Sequence, residues 1–328
     1  VGTSAVNANR AGGALQALGT PNDPVRFRSY RDDSLGGNVD PTDPSAVQGD
    51  WGGLVFRGDS DQEKAGIFLS WVTNSDLQHG GGGVRIGSVE KTFTPIHLET
   101  ARPTIAFNTI QLSADAAMSA NPNSFDDVLQ RIGPDIHGNT VVRNSINAMF
   151  VRIETSLGKV LDTLDVNARF DDTDIVHVIT ENLVITGNAG NPADPAKRLS
   201  GRLRIDPGAV VKLNDARIEA QRGSANLIAE GLPGYRVVFT SAKDDRYGMG
   251  GTFDTNNDNA LGTAESTPWM GDWGGLMFNH VSSGSLDYAL VTFAGGETPI
   301  EGGFAYFNAL EIHEADVRIA NTAFETNA

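Results

Sequence analysis

The chain contains 328 residues, including 38 glycines and no cysteine, and its formal net charge is −16. Without cysteine there are no disulfides and no zinc–thiolate site, which fits a protein that crosses a bacterial envelope unfolded. The acidity argues against nucleic acid as a partner, because no basic stripe is present to neutralise phosphates. No window approaches the run of about eighteen apolar residues that a membrane span needs, so no membrane insertion is expected within this segment.

The first repeat module extends from about residue 19 to about residue 110. An apolar run is followed by the acidic pair Asp32 and Asp33, and then by the string GDWGGLVF, which contains Trp51. Alternating apolar residues around Trp71 and a glycine cluster come next. Alternation with a period of two predicts short β-strands, and the glycines predict the turns between them.

Residues 111–230 are interpreted as intervening coils, and a finer repeat leads into them. Asn108 recurs as Asn139, and neighbouring residues recur at the same spacing of 31. A Ser cap, early acids and apolar spacing predict a short inserted helix near 124–132. Without that insert each unit has about twenty residues, which is typical of parallel β-helix coils. We therefore expect Asn108 and Asn139 to occupy the same corner of neighbouring coils.

The second module, from about 231 to 324, repeats the first. It contains the acidic pair Asp244 and Asp245 and the string GDWGGLMF, which includes Trp273. Duplication on this scale indicates a repeat architecture, and we interpret residues 1–328 as one continuous, all-β solenoid with inserted loops. A globular sandwich of hairpins is the competing fold, because turn-forming residue pairs are frequent along the chain.

Several strings of the chain resemble the repeats of a known group of proteins. The runs are FTSAKDD, GDWGGLMF, LDYALVTFAGG, LRIDPGAVVKL and ARFDDTDIVHVITENLVITG. They are similar to repeats of very large bacterial surface-exposed and secreted proteins with right-handed parallel β-helix, pectin-lyase-like segments. The resemblance implies a right-handed parallel β-helix, a location outside the cell or on its outer surface, and a role in adhesion, sheath or matrix formation. The export signal is then expected to lie outside this segment.

One loop carries a candidate calcium site. Asp254, Asn256 and Asp258 place oxygen ligands at alternate positions, and Glu265 follows. Calcium prefers such oxygen-rich, flexible arrangements, although the spacing departs from that of an EF-hand. The alternative is a solvated turn that binds no ion.

The acidic pairs Asp32–Asp33 and Asp244–Asp245 are candidates for the acid and base of a glycoside hydrolase. Their duplication argues against catalysis, because a catalytic pair is needed once, whereas a residue that shapes a bend is copied with its module. We interpret both pairs as structural turns or, second, as ion-binding turns. The acidic run 171–174 is interpreted as a turn that enters a strand.

The tryptophans divide into two groups. Trp51 and Trp273 precede two glycines, which predicts that each indole packs where another backbone passes closely. The alternative for these two indoles is an exposed platform that stacks against a sugar ring, and Trp71 and Trp269 are further candidates for such stacking.

The leading functional hypothesis is a non-enzymatic structural or adhesive segment of an extracellular bacterial surface, fibre or sheath protein. Its expected partners are other copies or further repeats of the same protein, and surface polysaccharide is a second partner class. The alternatives are a polysaccharide-binding module and a polysaccharide lyase or hydrolase on the same scaffold. We expect the chain to be part of a longer protein, with Val317, Ile319 and Phe324 at an end that other polypeptide covers.

Overall fold

The structure is a computed structural model, and it describes residues 12–37, 45–86, 88–156, 159–160, 162–187, 200–258 and 266–328. In these residues the chain forms 34 β-strands, numbered β1 to β34 in chain order, two short 3-10 turns and no α-helix. All the larger sheets are parallel, so the predicted parallel β-helix is confirmed and the hairpin sandwich is excluded. No helix in the described ranges is long and apolar enough to cross a membrane.

Sheet I is the longest sheet, with nine parallel strands contributed by successive coils. In spatial order its strands are β3 (Leu54–Arg57), β8 (Ile96–Glu99), β11 (Ala116–Ala120), β16 (Ile146–Val151), β20 (His177–Ile179), β23 (Val210–Leu213), β26 (Val237–Ser241), β29 (Ala289–Thr292) and β34 (Ala323–Glu325).

Two four-stranded parallel sheets accompany the first half of sheet I. Sheet II contains β1 (Gln16–Leu18), β4 (Trp71–Thr73), β9 (Thr104–Ala106) and β14 (Asp135–His137). Sheet III contains β2 (Val25–Phe27), β5 (Ser75–Gln78), β10 (Thr109–Gln111) and β15 (Thr140–Val142).

Two other parallel sheets accompany the second half of sheet I. Sheet IV contains β19 (Asn167–Phe170), β22 (Arg202–Ile205), β25 (Asn226–Glu230), β28 (Ser283–Asp287) and β33 (Asp316–Ala320). Sheet V contains β21 (Leu183–Ile185), β24 (Ile218–Ala220), β27 (Leu276–Phe278) and β32 (Leu310–Ile312).

Antiparallel hairpins are inserted between some coils. They are β6 (Gly83–Ile86) with β7 (Val89–Thr92), β12 (Asp127–Val128) with β13 (Arg131–Ile132), β17 (Thr155–Ser156) with β18 (Lys159–Val160), and β30 (Glu297–Ile300) with β31 (Gly303–Tyr306). The two 3-10 turns are Glu63–Ala65 and Pro122–Phe125.

The helix predicted near 124–132 is wrong. The 3-10 turn Pro122–Phe125 occupies the start of this segment, and the hairpin β12–β13 occupies the rest. Ser124 does not cap a helix, because its hydroxyl donates to a backbone carbonyl of the preceding coil at 3.1 Å. Phe125 is fully buried against Phe170, with ring centroids 4.7 Å apart. Packing against the solenoid core therefore decides the conformation of this insert.

Inward-facing side chains form a column through the solenoid. In sheet I six residues in register are fully buried, namely Met118, Met149, His177, Val211, Phe239 and Val291. Complete burial of one apolar side chain contributes about 1.5–3 kcal/mol, so stacking coil on coil is the main source of stability.

Asn108 and Asn139 lie at the same corner of neighbouring coils. Nδ2 of Asn108 donates to Oδ1 of Asn139 at 3.0 Å and to the carbonyl of Val72 at 2.8 Å. Nδ2 of Asn139 donates to the carbonyl of Ile105 at 2.8 Å. Because both side chains are buried, these bonds satisfy amide groups that would otherwise be unpaired inside the protein.

Of the five larger sheets, sheet I alone continues between the two halves, and we call this junction the seam. Sheets II and III end at β14 and β15. Carboxylates cover the edge of β14, since Asp172 accepts from the N–H of Ile136 at 3.1 Å and Asp174 accepts from the N–H of Gly138. Burial, followed by the charge of Asp171, raises the pKa of Asp172 well above its usual value. The third acidic run therefore caps a strand edge.

The two modules have the same order of strands, but equivalent strands of the two modules belong to different sheets. The equivalent strands are β1 and β25, β2 and β26, β3 and β27, β4 and β28, β5 and β29, β8 and β32, β9 and β33, and β10 and β34. Strands of sheets I, II and III in the first module correspond to strands of sheets V, IV and I in the second. The sheet to which each strand of the repeat belongs therefore changes at the seam.

Candidate functional site

The first Asp-Trp-Gly-Gly corner is held by the carboxylate of Asp50. It accepts hydrogen bonds from the Ser29 hydroxyl at 2.6 Å, the Val47 N–H at 3.0 Å and the Arg31 guanidinium at 3.0 Å. Burial opposes ionisation of Asp50, but the bonds from Ser29 and Val47 and the charge of Arg31 outweigh it and lower its pKa.

The second corner repeats these contacts. Asp272 accepts from the Ser241 hydroxyl at 2.6 Å, the Trp269 N–H at 2.9 Å and the Lys243 ammonium at 2.8 Å. Each aspartate accepts from a serine hydroxyl, a backbone N–H and a cationic side chain, and the cationic side chain is Arg31 in the first corner and Lys243 in the second. The repeated aspartate therefore closes the connection between two successive strands of one coil in both modules, β2 to β3 in the first and β26 to β27 in the second.

The indole groups of both corners donate to the backbone. Nε1 of Trp51 lies 2.7 Å from the carbonyl of Gln78, and Nε1 of Trp273 lies 2.9 Å from the carbonyl of Thr292. Trp273 is fully buried, whereas Trp51 is half-buried and stacks on Phe27. Both indoles pack at the corners, and neither is a fully exposed platform.

The acidic pairs are turn residues in the structure. Asp32 accepts from the hydroxyl and N–H of Ser34, which lowers its pKa. Burial opposes ionisation of Asp244, but bonds from Arg246, at 2.8 and 2.9 Å, outweigh it and lower its pKa. Asp33 is exposed. Neither Asp32 nor Asp244 therefore has the raised pKa of a general acid.

The candidate calcium site includes Asp245, which the sequence analysis did not connect with this loop. Asp245, Asp254 and Asp258 each place a carboxylate oxygen within 4.8 Å of those of the other two. Nδ2 of Asn256 donates to Asp258 at 2.9 Å. The predicted ligands Asp254 and Asp258 are thus brought together with the second member of an acidic pair, while Glu265 lies outside the described residues. Three half-buried carboxylates so close together repel one another unless a cation is nearby.

Lys212 supplies a positive charge beneath this cluster. Its side chain is fully buried, and its ammonium donates to the carbonyl of Phe253 at 2.9 Å and to the hydroxyl of Thr255 at 2.7 Å. Burial lowers the pKa of Lys212 to about 8, although Asp245 and neighbouring carboxylates oppose this shift. Sequence reasoning missed this residue, and the only signal was a lysine within the apolar strand β23.

The segment 243–258, which we call the acidic loop, reaches back across the seam. The Val141 N–H donates to the carbonyl of Gly250 at 3.0 Å, and the Asn147 N–H donates to the carbonyl of Thr255 at 2.8 Å. Nδ2 of Asn147 also donates to the carbonyl of Asp254 at 2.8 Å. The acidic loop therefore bonds to β15 and β16, at the place where sheet III ends.

Exposed aromatic side chains are present at both candidate sugar-binding positions. Trp269 is 69% exposed and Trp71 is 40% exposed. An open depression of about 400 Å³ is lined by residues 243–246 and 266–268, and Trp269 is the next residue in the sequence. Trp71 lies in β4, on the surface of sheet II.

The strands β32, β33 and β34, which are the last strands of sheets V, IV and I among the described residues, expose apolar side chains. Ile312, Ile319 and Phe324 are 44%, 41% and 40% exposed. The equivalent residues of the first module are 0% exposed because the next coil covers them, and they are Leu98, Ile105 and Ile110.

In comparisons with known proteins, no protein-family model matches the chain, and neither a curated protein nor a solved structure matches it significantly. The functional argument therefore depends on the geometry of the chain.

Proposed function

We propose that the chain is a non-enzymatic structural or adhesive segment of an extracellular bacterial surface, fibre or sheath protein, and that it works by stacking coils. The observation that carries this proposal is the matched hydrogen bond from each corner indole, Trp51 and Trp273, to a backbone carbonyl of the next coil. The duplicated tryptophans at these corners hold one coil to the next. Such a pattern suits a body that is lengthened by repetition.

A polysaccharide panel tests this proposal against the enzyme alternative. We expect no release of reducing ends or unsaturated uronates from neutral or acidic polysaccharides. Product release that disappears in Asp32→Asn or Asp244→Asn, and persists in the exposed control Asp23→Asn, would replace the structural role with a catalytic one. Labelling of intact cells with an antibody against the segment tests the proposed location.

We propose calcium as the ion held by Asp245, Asp254 and Asp258. Carboxylate oxygens are ligands that calcium prefers, and the net charge of −16 favours cation binding. The charge of Lys212 offsets only part of the cluster, because three carboxylates converge there. Bound calcium would hold both ends of the acidic loop together.

Polysaccharide binding is the second candidate function, and the exposure of Trp269 beside the open depression favours it. An indole face there can stack on a sugar ring, while residues at the depression bond to its hydroxyls. Affinity electrophoresis with Trp269→Ala tests this function, and Tyr306→Ala, which removes an exposed aromatic ring on β31, is the matched control. Equal retention of both variants and the wild type would exclude Trp269 as a sugar platform.

A further inference from the structure

Two exposed aromatic side chains lie on neighbouring strands inside sheet II. Trp71 begins β4 and is 40% exposed, and Phe107 directly follows β9 and is 57% exposed. Both β4 and β9 are paired on both sides, so the exposure of these rings does not come from a sheet edge. We propose that Trp71 and Phe107 form a binding surface for a neutral polysaccharide, separate from the depression beside Trp269.

The second module shows that the fold does not require aromatic side chains at these two positions. The register of β4 on β9 matches that of β28 on β33, so Trp71 corresponds to Ser285 and Phe107 corresponds to Asn321. Phe107 and Asn321 also share a positive φ, of 57° and 46°. Since serine and asparagine support the same backbone, the exposed rings of the first module indicate a binding surface.

A hydrogen-bonding group lies beside Phe107. The ring of His137 meets that of Phe107 edge to face, with centroids 5.0 Å apart, and its Nδ1 is 2.7 Å from Oδ1 of Asp135. Because a carboxylate accepts, Nδ1 carries the proton of the neutral imidazole, and Nε2 is left as an acceptor. The His137 side chain is 45% exposed. Nε2 can therefore accept a hydrogen bond from a sugar hydroxyl.

The spacing of the two rings suits a chain of sugars. Thr104 is aligned with Trp71, and Phe107 is three residues further along β9. The rings are therefore separated by about 5 Å across the strands and about 10 Å along them. Each sugar ring has an apolar C–H face that packs on an aromatic ring, and hydroxyls at its rim that bond to polar groups. Two rings at this spacing can stack on different sugars of one polymer.

The charges of sheet II favour a neutral ligand. The only ionisable side chains on its described strands are Asp135 and His137, which bond to each other. Asp135 also lies 3.8 Å from the guanidinium of Arg131. These strands therefore offer no free cation to pair with the carboxylates of an acidic polysaccharide. The net charge of −16 opposes an acidic ligand as well.

The size of the surface argues against a second copy of the chain as its occupant. Strands β4, β9 and β14, over the four positions from Trp71 to Phe107, cover about 14 Å by 13 Å, or about 180 Å². A stable protein interface buries about 800 Å² on each partner. Two copies with a net charge of −16 each also repel one another. A polysaccharide needs only a short row of ring contacts.

Affinity electrophoresis with defined polymers tests the proposal. The neutral probes are hydroxyethyl cellulose, galactomannan and soluble starch, and the acidic probes are alginate and polygalacturonate. We expect at least one neutral polymer to retard the wild-type protein. Trp71→Ser and Phe107→Asn should each weaken this binding by up to about tenfold, the size of one aromatic contact. In a Trp269→Ala background, which removes the indole beside the depression, the two substitutions together should abolish the remaining retardation.

These substitutions introduce the residues of the second module, so we expect the circular dichroism spectrum and the melting temperature to stay unchanged. Trp71→Phe keeps a ring and should keep most of the retardation, which assigns the effect to stacking. Tyr306→Ala, which removes an exposed ring on β31, is the control and should behave like the wild type.

A wild-type protein that no neutral polymer retards, or that only acidic polymers retard, would overturn the proposal. Retardation that persists in Trp71→Ser/Phe107→Asn within the Trp269→Ala background would also overturn it. Sedimentation velocity tests the other occupant, since oligomers that the double substitution converts to monomers would assign the surface to a second copy. Retardation that Trp269→Ala alone abolishes would refute this inference and leave polysaccharide binding at the depression standing.

Discussion

The two corner tryptophans share one motif but differ in burial. Trp273 is completely enclosed, whereas Trp51 is half-buried, and each indole N–H bonds to a backbone carbonyl. We predict that Trp273→Ala lowers the free energy of unfolding by about 3–5 kcal/mol, the range for truncation of a buried aromatic residue. Trp51→Ala should cost less. Urea denaturation measures both changes, and equal losses would contradict the link to burial.

His177 is an unusual member of the core column. It is fully buried, it stacks on Phe170 with ring centroids 4.3 Å apart, and neither ring nitrogen has a hydrogen-bond partner among the described residues. Burial lowers the pKa of His177 to about 3. The folded protein therefore holds this imidazole neutral at pH values where the unfolded chain protonates it.

This difference in the pKa of His177 between the folded and unfolded states makes the free energy of unfolding depend on pH. The contribution of His177 is fully retained above about pH 6.5 and declines as the pH falls toward 3, by up to about 1.4 kcal/mol for each pH unit. We predict that His177→Phe, which keeps a stacked ring, removes this part of the acid dependence. Denaturant titrations between pH 7 and 4 measure the slope, with the exposed His313→Phe as control. An unchanged slope in His177→Phe would disprove the assignment.

At the scale of elements, the strands were predictable because their signals are local or repeated. Alternation, glycine turns and the recurrence of Asn108 as Asn139 indicated stacked coils. The helix near 124–132 was mispredicted because the sequence does not show that Phe125 packs into the core. Leu129 and Gln130 adopt φ values of 58° and 61°, which form a hairpin turn.

The candidate site in the acidic loop could likewise be predicted only in part from the sequence. The alternation of Asp254, Asn256 and Asp258 was visible in the sequence, but the approach of Asp245 and the burial of Lys212 depend on how the loop folds over β23. No local pattern connects these residues. Sites formed by contacts between coils require the registers of the strands, which the sequence alone did not provide.

Calcium should stabilise this loop if Asp245, Asp254 and Asp258 hold it. We predict that added calcium raises the melting temperature, that chelation lowers it, and that Asp258→Asn weakens the response, because a ligand that binds only the folded state stabilises that state. Differential scanning calorimetry with and without chelator measures the shift. Asp23→Asn, at an exposed carboxylate, is the control. A melting temperature insensitive to calcium and chelator would identify the loop as a solvated turn.

At the scale of the whole molecule, the seam is the place in the described solenoid where sheet I is the only larger sheet that continues. Sheets II and III end there, while sheet I continues through the pairing of β16 with β20. The acidic loop bridges the same place by bonding to Val141 and Asn147. Since sheets II and III provide no continuous ladder across the seam, this loop should determine how cooperatively the two halves unfold.

Gly251 allows this bridge to be tested by one substitution. It has a φ of 97°, and a Cβ there would lie 2.5 Å from the carbonyl oxygen of Val141. We predict that Gly251→Ala displaces the acidic loop, removes backbone bonds worth about 1 kcal/mol each, and raises hydrogen exchange at Val141 and Asn147. Gly234→Ala is the matched control, because Gly234 has a φ of 84° and no atom within 4 Å of its Cβ position. Both variants carry the strain of a left-handed alanine, about 1–2 kcal/mol, so only the loss of the bridge distinguishes them. If both variants show the same exchange at β15 and β16 and the same single unfolding transition, the loop does not join the two halves.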